Sequence, residues 1–285
     1  MKEPEPYSSE RVKLRHGGRE RTFVMVTPRV LPANPRLLFY FHGSLQNGNV
    51  ARNFTGRTFD AIAARTGTVL IYPDGVERHF NDARLLLGER TRELSIDDVG
   101  FTRALVSWAV THRGIDPAQV FACGFSNGGQ MVIRLLFDAP GLLTRAATFA
   151  ATLPAPNNLL DGLGTPEPTP YLAIHGTADA IVHYEGGVAG LDHEHLRGEL
   201  LSAQDSAASF ATVNGLGAGD HARRVLDGVS IDTWARDGKP GVELWSVEGM
   251  GHVVPAPKVI HSTVIGPGTD AIVAADVLAQ FFGWD

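Results

Sequence analysis

An apolar run at 120–125 passes through Ser126-Asn127-Gly128-Gly129 straight into a helical stretch at 130–137. No loop separates the two, so the chain must turn from strand to helix within a few small residues, which only a glycine-rich junction permits. The same alternation recurs along the sequence. Strands are expected at 22–27 and 36–41, on either side of a Pro-rich turn at 28–35, and again at 68–72, 145–151 and 171–175. Helical spacing occupies 54–65, 96–112 and 270–282, and Asp97 and Asp98 stand at the positive end of the second of these. Late edge strands are expected at 229–234 and 242–247. Short apolar strands alternating with helices require a mostly parallel central sheet flanked by helices on both faces, an α/β fold.

The 285 residues, 44% of them apolar, are enough for one large core, and the 32 glycines and 17 prolines show no repeat period. One domain over 1–285 is expected. Residues 183–221 are rich in glycine, histidine and acids before a helical stretch at 202–213, and read as a cap or pocket wall within that domain. Lys and Arg total 25 against 31 Asp and Glu, with the signs interspersed, which argues against nucleic acid as a partner. No apolar stretch approaches membrane-spanning length, so no membrane partner is expected. The first ten residues are polar and Pro-rich, and Cys123 has no second cysteine to pair with; both readings point to the cytoplasm.

Chemistry concentrates at Gly124-Phe125-Ser126-Asn127-Gly128, a G-x-S-x-G sequence placed between strand and helix. That placement favours Ser126 as a nucleophile over a serine that merely caps the helix. A hydroxyl nucleophile needs a base and a group to orient the base. Asp179, in His175-Gly176-Thr177-Ala178-Asp179, and His252, in Gly249-Met250-Gly251-His252, both follow strand-like runs and supply these roles in the order Ser, Asp, His. Their bland readings are a turn aspartate and a loop histidine. Asp74 in Tyr72-Pro73-Asp74-Gly75 and Asp192 are rival acids. Developing negative charge needs backbone donors, for which Asn127 and, in His42-Gly43-Ser44-Leu45-Gln46, Ser44 and then Leu45 are the candidates. His42 is expected to be a structural hydrogen bonder. His193 and His195, with Asp192, His183 and His221, could in principle hold zinc, but lack a recognised ligand spacing, and no metal is expected. Cys123 is expected in the core.

The set resembles the α/β-hydrolase superfamily, and within it the group of poly(3-hydroxybutyrate) depolymerase-like enzymes with feruloyl and acetyl xylan esterases. The resemblance runs in order over 22–255: Phe41-His42-Gly43 with Gln46, Tyr72-Pro73-Asp74-Gly75, and Asn81-Asp82 with Arg84. It continues through Asp97-Asp98-Val99-Gly100-Phe101, Ile115-Asp116-Pro117, Gly124 to Gly129, His175 to Asp179, and Gly251-His252. It implies a Ser126, Asp179, His252 triad that cleaves carboxylic esters through an acyl-enzyme with no metal or organic cofactor. Asn127, Ser44 and Leu45 match the oxyanion positions, and Asp97 and Asp98 match scaffold. Phe80 and Val253 stand where relatives often carry Trp and are expected to bind substrate. The expected partner is a small-molecule or oligomeric ester, with short-chain, hydroxyacyl and aromatic acyl groups all open, as is the oligomeric state. The alternatives are acyl transfer by the same triad and, further off, a noncatalytic ligand-binding protein.

Overall fold

The centre of the molecule is β3, Leu37–Phe41, five consecutive buried residues. Its alternate side chains enter different cores: Leu37, Phe39 and Phe41 on one face, Leu38 and Tyr40 on the other. This two-sided burial is why the run is apolar throughout rather than alternating. The computed structural model describes residues 5–190 and 195–284.

Around β3 the sheet is built from β1 (Tyr7–His16), β2 (Arg19–Pro28), β4 (Val69–Pro73), β5 (Val120–Phe125), β6 (Arg145–Phe149) and β7 (Tyr171–Gly176). A two-stranded hairpin, β8 (Gly187–Gly190) and β9 (Leu196–Leu200), stands apart. The chain then returns to the main sheet with β10 (His221–Leu226), β11 (Val229–Trp234) and β12 (Val242–Val247). The strand order is β1-β2-β4-β3-β5-β6-β7-β12-β11-β10. The six strands from β4 to β12 in that order run parallel, and antiparallel pairs close each edge.

The helices are α1 (Gly48–Phe54), α2 (Thr58–Thr66), the short α3 (Arg90–Glu93), α4 (Asp98–Arg113), α5 (Asn127–Asp138), α6 (Ala203–Val213) and α7 (Ala274–Phe282). Buried residues of α4, α5 and α6 join one core, and those of α1, α2 and α7 the other. Ser126, Asp179 and His252 all follow the carboxyl ends of parallel strands β5, β7 and β12, where open α/β sheets place their ligands. Among the described residues no helix is long and apolar enough to cross a membrane.

Four expectations are corrected, the first being that β11 and β12, expected as edge strands, lie inside the sheet because β10 pairs outside β11 and β12 pairs with β7. Residues 7–10 of the polar lead open β1, whose exposed Arg11, Lys13 and Arg15 make a charged edge that discourages pairing with another chain. The helix expected over 54–65 is split, because Gly56 and Arg57 both take φ 62° between α1 and α2. Segment 183–221 divides as well. Its β8–β9 hairpin leaves the sheet, whereas α6 buries Ala203, Ala207, Phe210 and Ala211 in the main core, with Phe210 stacked 4.1 Å from Tyr171.

Candidate active site

Ser126 adopts φ 54° and ψ −118°, a conformation that costs a non-glycine residue about 1–3 kcal/mol. The surroundings enforce it. A Cβ on Gly124 would lie 2.2 Å from the Gly128 carbonyl oxygen, and one on Gly128 would lie 2.1 Å from that of Phe41. Both glycines are therefore steric requirements of driving β5 directly into α5 beside β3. The result lifts Ser126 onto the sheet's carboxyl edge, immediately before the first residue of α5.

His252 Nε2 lies 2.8 Å from Ser126 Oγ, and His252 Nδ1 lies 2.8 Å from Asp179 Oδ2. With the Nδ1 proton donated to the carboxylate, Nε2 is left as an acceptor for the serine hydroxyl. The other carboxylate oxygen, Asp179 Oδ1, accepts from the N–H groups of Ile181 and Val182 at 2.9 Å each. Burial alone would raise the Asp179 carboxyl, but the charge and hydrogen bond of His252, with His175 and the Val182 N–H, hold it below the usual carboxylate range. His175 sits behind it and donates from Nε2 to the Val182 carbonyl at 2.8 Å. Burial pushes the His175 pKa down and keeps the ring neutral, against the pull of Asp179. The sequence-predicted Ser126, Asp179 and His252 thus come together in one hydrogen-bonded chain.

The N–H of Asn127 opens α5 beside the serine, and its side chain is fully engaged. Oδ1 accepts from the Phe80 N–H at 2.8 Å, while Nδ2 donates to the Phe80 carbonyl at 3.0 Å and to Asp82 Oδ2 at 2.6 Å. Of the two candidates in the 43–46 loop, Leu45 is excluded as an oxyanion donor: its N–H donates to the Arg78 carbonyl at 3.1 Å, in a backbone held at φ 61°. The Ser44 N–H has no acceptor among the described residues, and Ser44 lines the cavity with Ser126. His42 braces this loop from below, donating from Nδ1 to the Gly43 carbonyl at 2.7 Å and accepting from the Gly75 N–H at 3.0 Å. Burial lowers its pKa to about 4, with the Gly43 hydrogen bond opposing, so the ring is a neutral brace.

Ser126 and His252 open into a cavity of about 260 Å³. Its apolar walls come from Phe54, Phe125, Ile181, Val182, Val264 and Ile265, with Ala189 and Gly190 of the β8–β9 hairpin. Two expected substrate contacts are corrected. Phe80 is a core residue, packed edge-on against Phe41 at 5.3 Å and close to His42 at 4.5 Å, and its backbone instead holds Asn127. Val253 is buried in the opposite core beneath the site, so neither side chain lines the cavity. Two residues that do line it, Arg84 and Arg197, are not among the sequence-predicted site residues. Arg84 lay within the Asn81-Asp82 pattern; Arg197 is delivered by the hairpin and carried no local signal.

The rival Asp74 accepts from Arg11, Thr22 and the Gly48 N–H, a structural role at the start of α1. Cys123 is buried in β5, which pushes its thiol pKa well up. His221 pairs with Asp232 at 2.8 Å on the far edge of the sheet. Asp192 and His193 lie outside the described residues, and among the described ones no three His, Cys, Asp or Glu side chains gather as a metal site.

A family model of phospholipases and carboxylesterases matches residues 100–195. NocK of Nocardia uniformis subsp. tsuyamanensis, named as an esterase, is 30% identical over 175 residues, covering 59% of this chain and 48% of NocK. Feruloyl esterase B of Piromyces equi is 26% identical over 184 residues, 63% of this chain and 32% of that one. The chain thus spans about half or less of the length of these two relatives. Among solved structures, the acetyl xylan esterase from Aspergillus awamori superposes with a TM-score of 0.66 over 98% of this chain and 100% of its own, at 15% identity. At that identity the likeness shows a shared fold, the α/β-hydrolase fold.

Proposed function

We propose that this α/β-hydrolase-fold chain is a serine hydrolase of carboxylic esters, with Ser126 as nucleophile, His252 as general base and acid, and Asp179 as the group that orients and stabilises the imidazole. The observation that carries the reading is the chain of two 2.8 Å hydrogen bonds from Ser126 through His252 to Asp179, contributed by three separate strand ends. His252 accepts the Ser126 proton as Oγ bonds to the ester carbonyl carbon. The resulting oxyanion is met by the N–H groups of Asn127 and Ser44. Collapse of the tetrahedral intermediate expels the alcohol, which leaves with the proton from His252. Water, activated by the same imidazole, then cleaves the acyl-enzyme and frees the acid.

Short-chain, hydroxyacyl and aromatic acyl esters form the substrate class, and the cavity of about 260 Å³ suits a small acyl group. The esterase names of NocK and feruloyl esterase B support this class. We place the activity in the cytoplasm, in keeping with a lone, buried Cys123. Replacing Ser126 with alanine is expected to lower kcat/KM on p-nitrophenyl butyrate by at least about 10³-fold, with an unchanged circular-dichroism spectrum. Wild-type rates in a folded Ser126→Ala protein would overturn the proposal.

A further inference from the structure

Ester cleavage by Ser126, His252 and Asp179 makes no use of the two guanidinium groups that share their cavity, Arg84 and Arg197. Arg84 is buried, and its Nε and Nη2 fork onto the equally buried Asp82. No described residue accepts from its Nη1. Arg197, on β9, pairs through Nη2 with Glu89. Next to them lies Arg92, which meets no carboxylate among the described residues: its Nη2 donates to the carbonyls of Asp82 and Arg84, and its Nε is buried without an acceptor among them. Burial lowers the Arg92 pKa, and the neighbouring Arg134 and Arg84 add to this against the pull of Asp82.

Among the described residues, three guanidinium groups therefore stand over two carboxylates, Asp82 and Glu89, and one positive charge at this wall has no carboxylate partner. An unmatched charge beside apolar walls is costly, and the same low-dielectric setting strengthens its attraction for an anion that enters. A planar guanidinium with a free donor is suited to a carboxylate. We propose that the cavity selects esters that carry a carboxylate elsewhere in the molecule, with Arg84 and Arg197 as its binding residues. The inference rests on the serine hydrolase reading and deepens it by naming the charge of the substrate.

The test compares butyrate release from 3-butyryloxybutyrate and from its uncharged isostere 3-butyryloxybutyramide. Wild type is expected to favour the acid by about 10-fold or more in kcat/KM, the scale of one charge-assisted hydrogen bond. Arg197→Gln is expected to bring that ratio to within about 3-fold of unity, as is Arg84→Gln. Because Arg84→Gln leaves Asp82 unpaired and can fail to fold, Arg197→Gln alone decides if it does. Equal or better turnover of the amide by wild type overturns the inference. So does turnover of p-nitrophenyl butyrate with neither butyryloxy compound cleaved, which leaves the hydrolase reading standing. An undiminished preference for the acid in folded Arg197→Gln overturns the inference too. If p-nitrophenyl butyrate is inert as well, both readings fall.

Discussion

His42 shows how a histidine next to a catalytic loop can be excluded from catalysis on physical grounds. Both ring nitrogens are committed, to the Gly43 carbonyl and the Gly75 N–H, and the pKa is lowered to about 4. An unfolded chain would titrate this group near 6.5, so between about 4 and 6.5 the unfolded state binds more protons. The His42 contribution to stability is thus complete above about pH 6.5 and is lost as pH falls toward 4, on the order of 3 kcal/mol in all. His175, lowered by burial, adds in the same direction, whereas Asp179 is depressed from 3.8 and acts only at lower pH. Urea unfolding at pH 7.5, 5.5 and 4.5 is expected to show a shallower pH slope for His42→Gln than for wild type; identical slopes would contradict the assignment. The structural hydrogen-bonding role of His42 was legible in the sequence, although its partner Gly75, 33 residues away, was not. The side chain of Asn127 was not, since its partners Phe80 and Asp82 lie 45 or more residues away. Phe80 and Val253 were misread for a related reason. A departure from a relative's residue type identifies a difference in side chain and leaves open which way that side chain faces.

At the level of elements, the β5–α5 junction was the most legible part of the chain, because its constraint is local. Small residues at 124 and 128 are demanded by backbone atoms of β3 and α5 that any α/β packing of this kind brings close. Gly128→Ala is expected to lower Tm by roughly 10 °C or to prevent folding, as the added methyl would meet the Phe41 carbonyl at 2.1 Å. A variant that melts within a degree of wild type would show that β3 can yield there. The apolar runs located 120–125, 229–234 and 242–247 to the residue and the remaining strands from β2 to β7 to within three residues at each end. Pattern reading failed at β1, a strand with little burial whose alternation is confined to Val12 and Leu14 between Arg11, Lys13 and Arg15, and at 183–221, where one polar-looking segment contributes both a hairpin outside the sheet and a helix inside the core.

Across the whole molecule, the candidate site is a property of the sheet rather than of any one segment. Ser126 and His252 are 126 residues apart, and only the placement of β12 beside β7 and β7 beside β6 brings them within hydrogen-bond reach. The chain order Ser, Asp, His was readable because each residue follows a strand; the identity of the cavity wall was not, because the wall is assembled from loops at 44–46, 84, 181–182 and 264–265 and from the hairpin. The central claim is that these strand ends meet to make Ser126 a nucleophile. It is tested most directly by rapid-quench intact-mass spectrometry with p-nitrophenyl butyrate, followed by peptide mapping. The account predicts a transient butyryl adduct on Ser126 that appears with the burst of nitrophenol and is absent in Ser126→Ala. Turnover with the butyryl group on another residue, or an adduct that persists in Ser126→Ala, would contradict it.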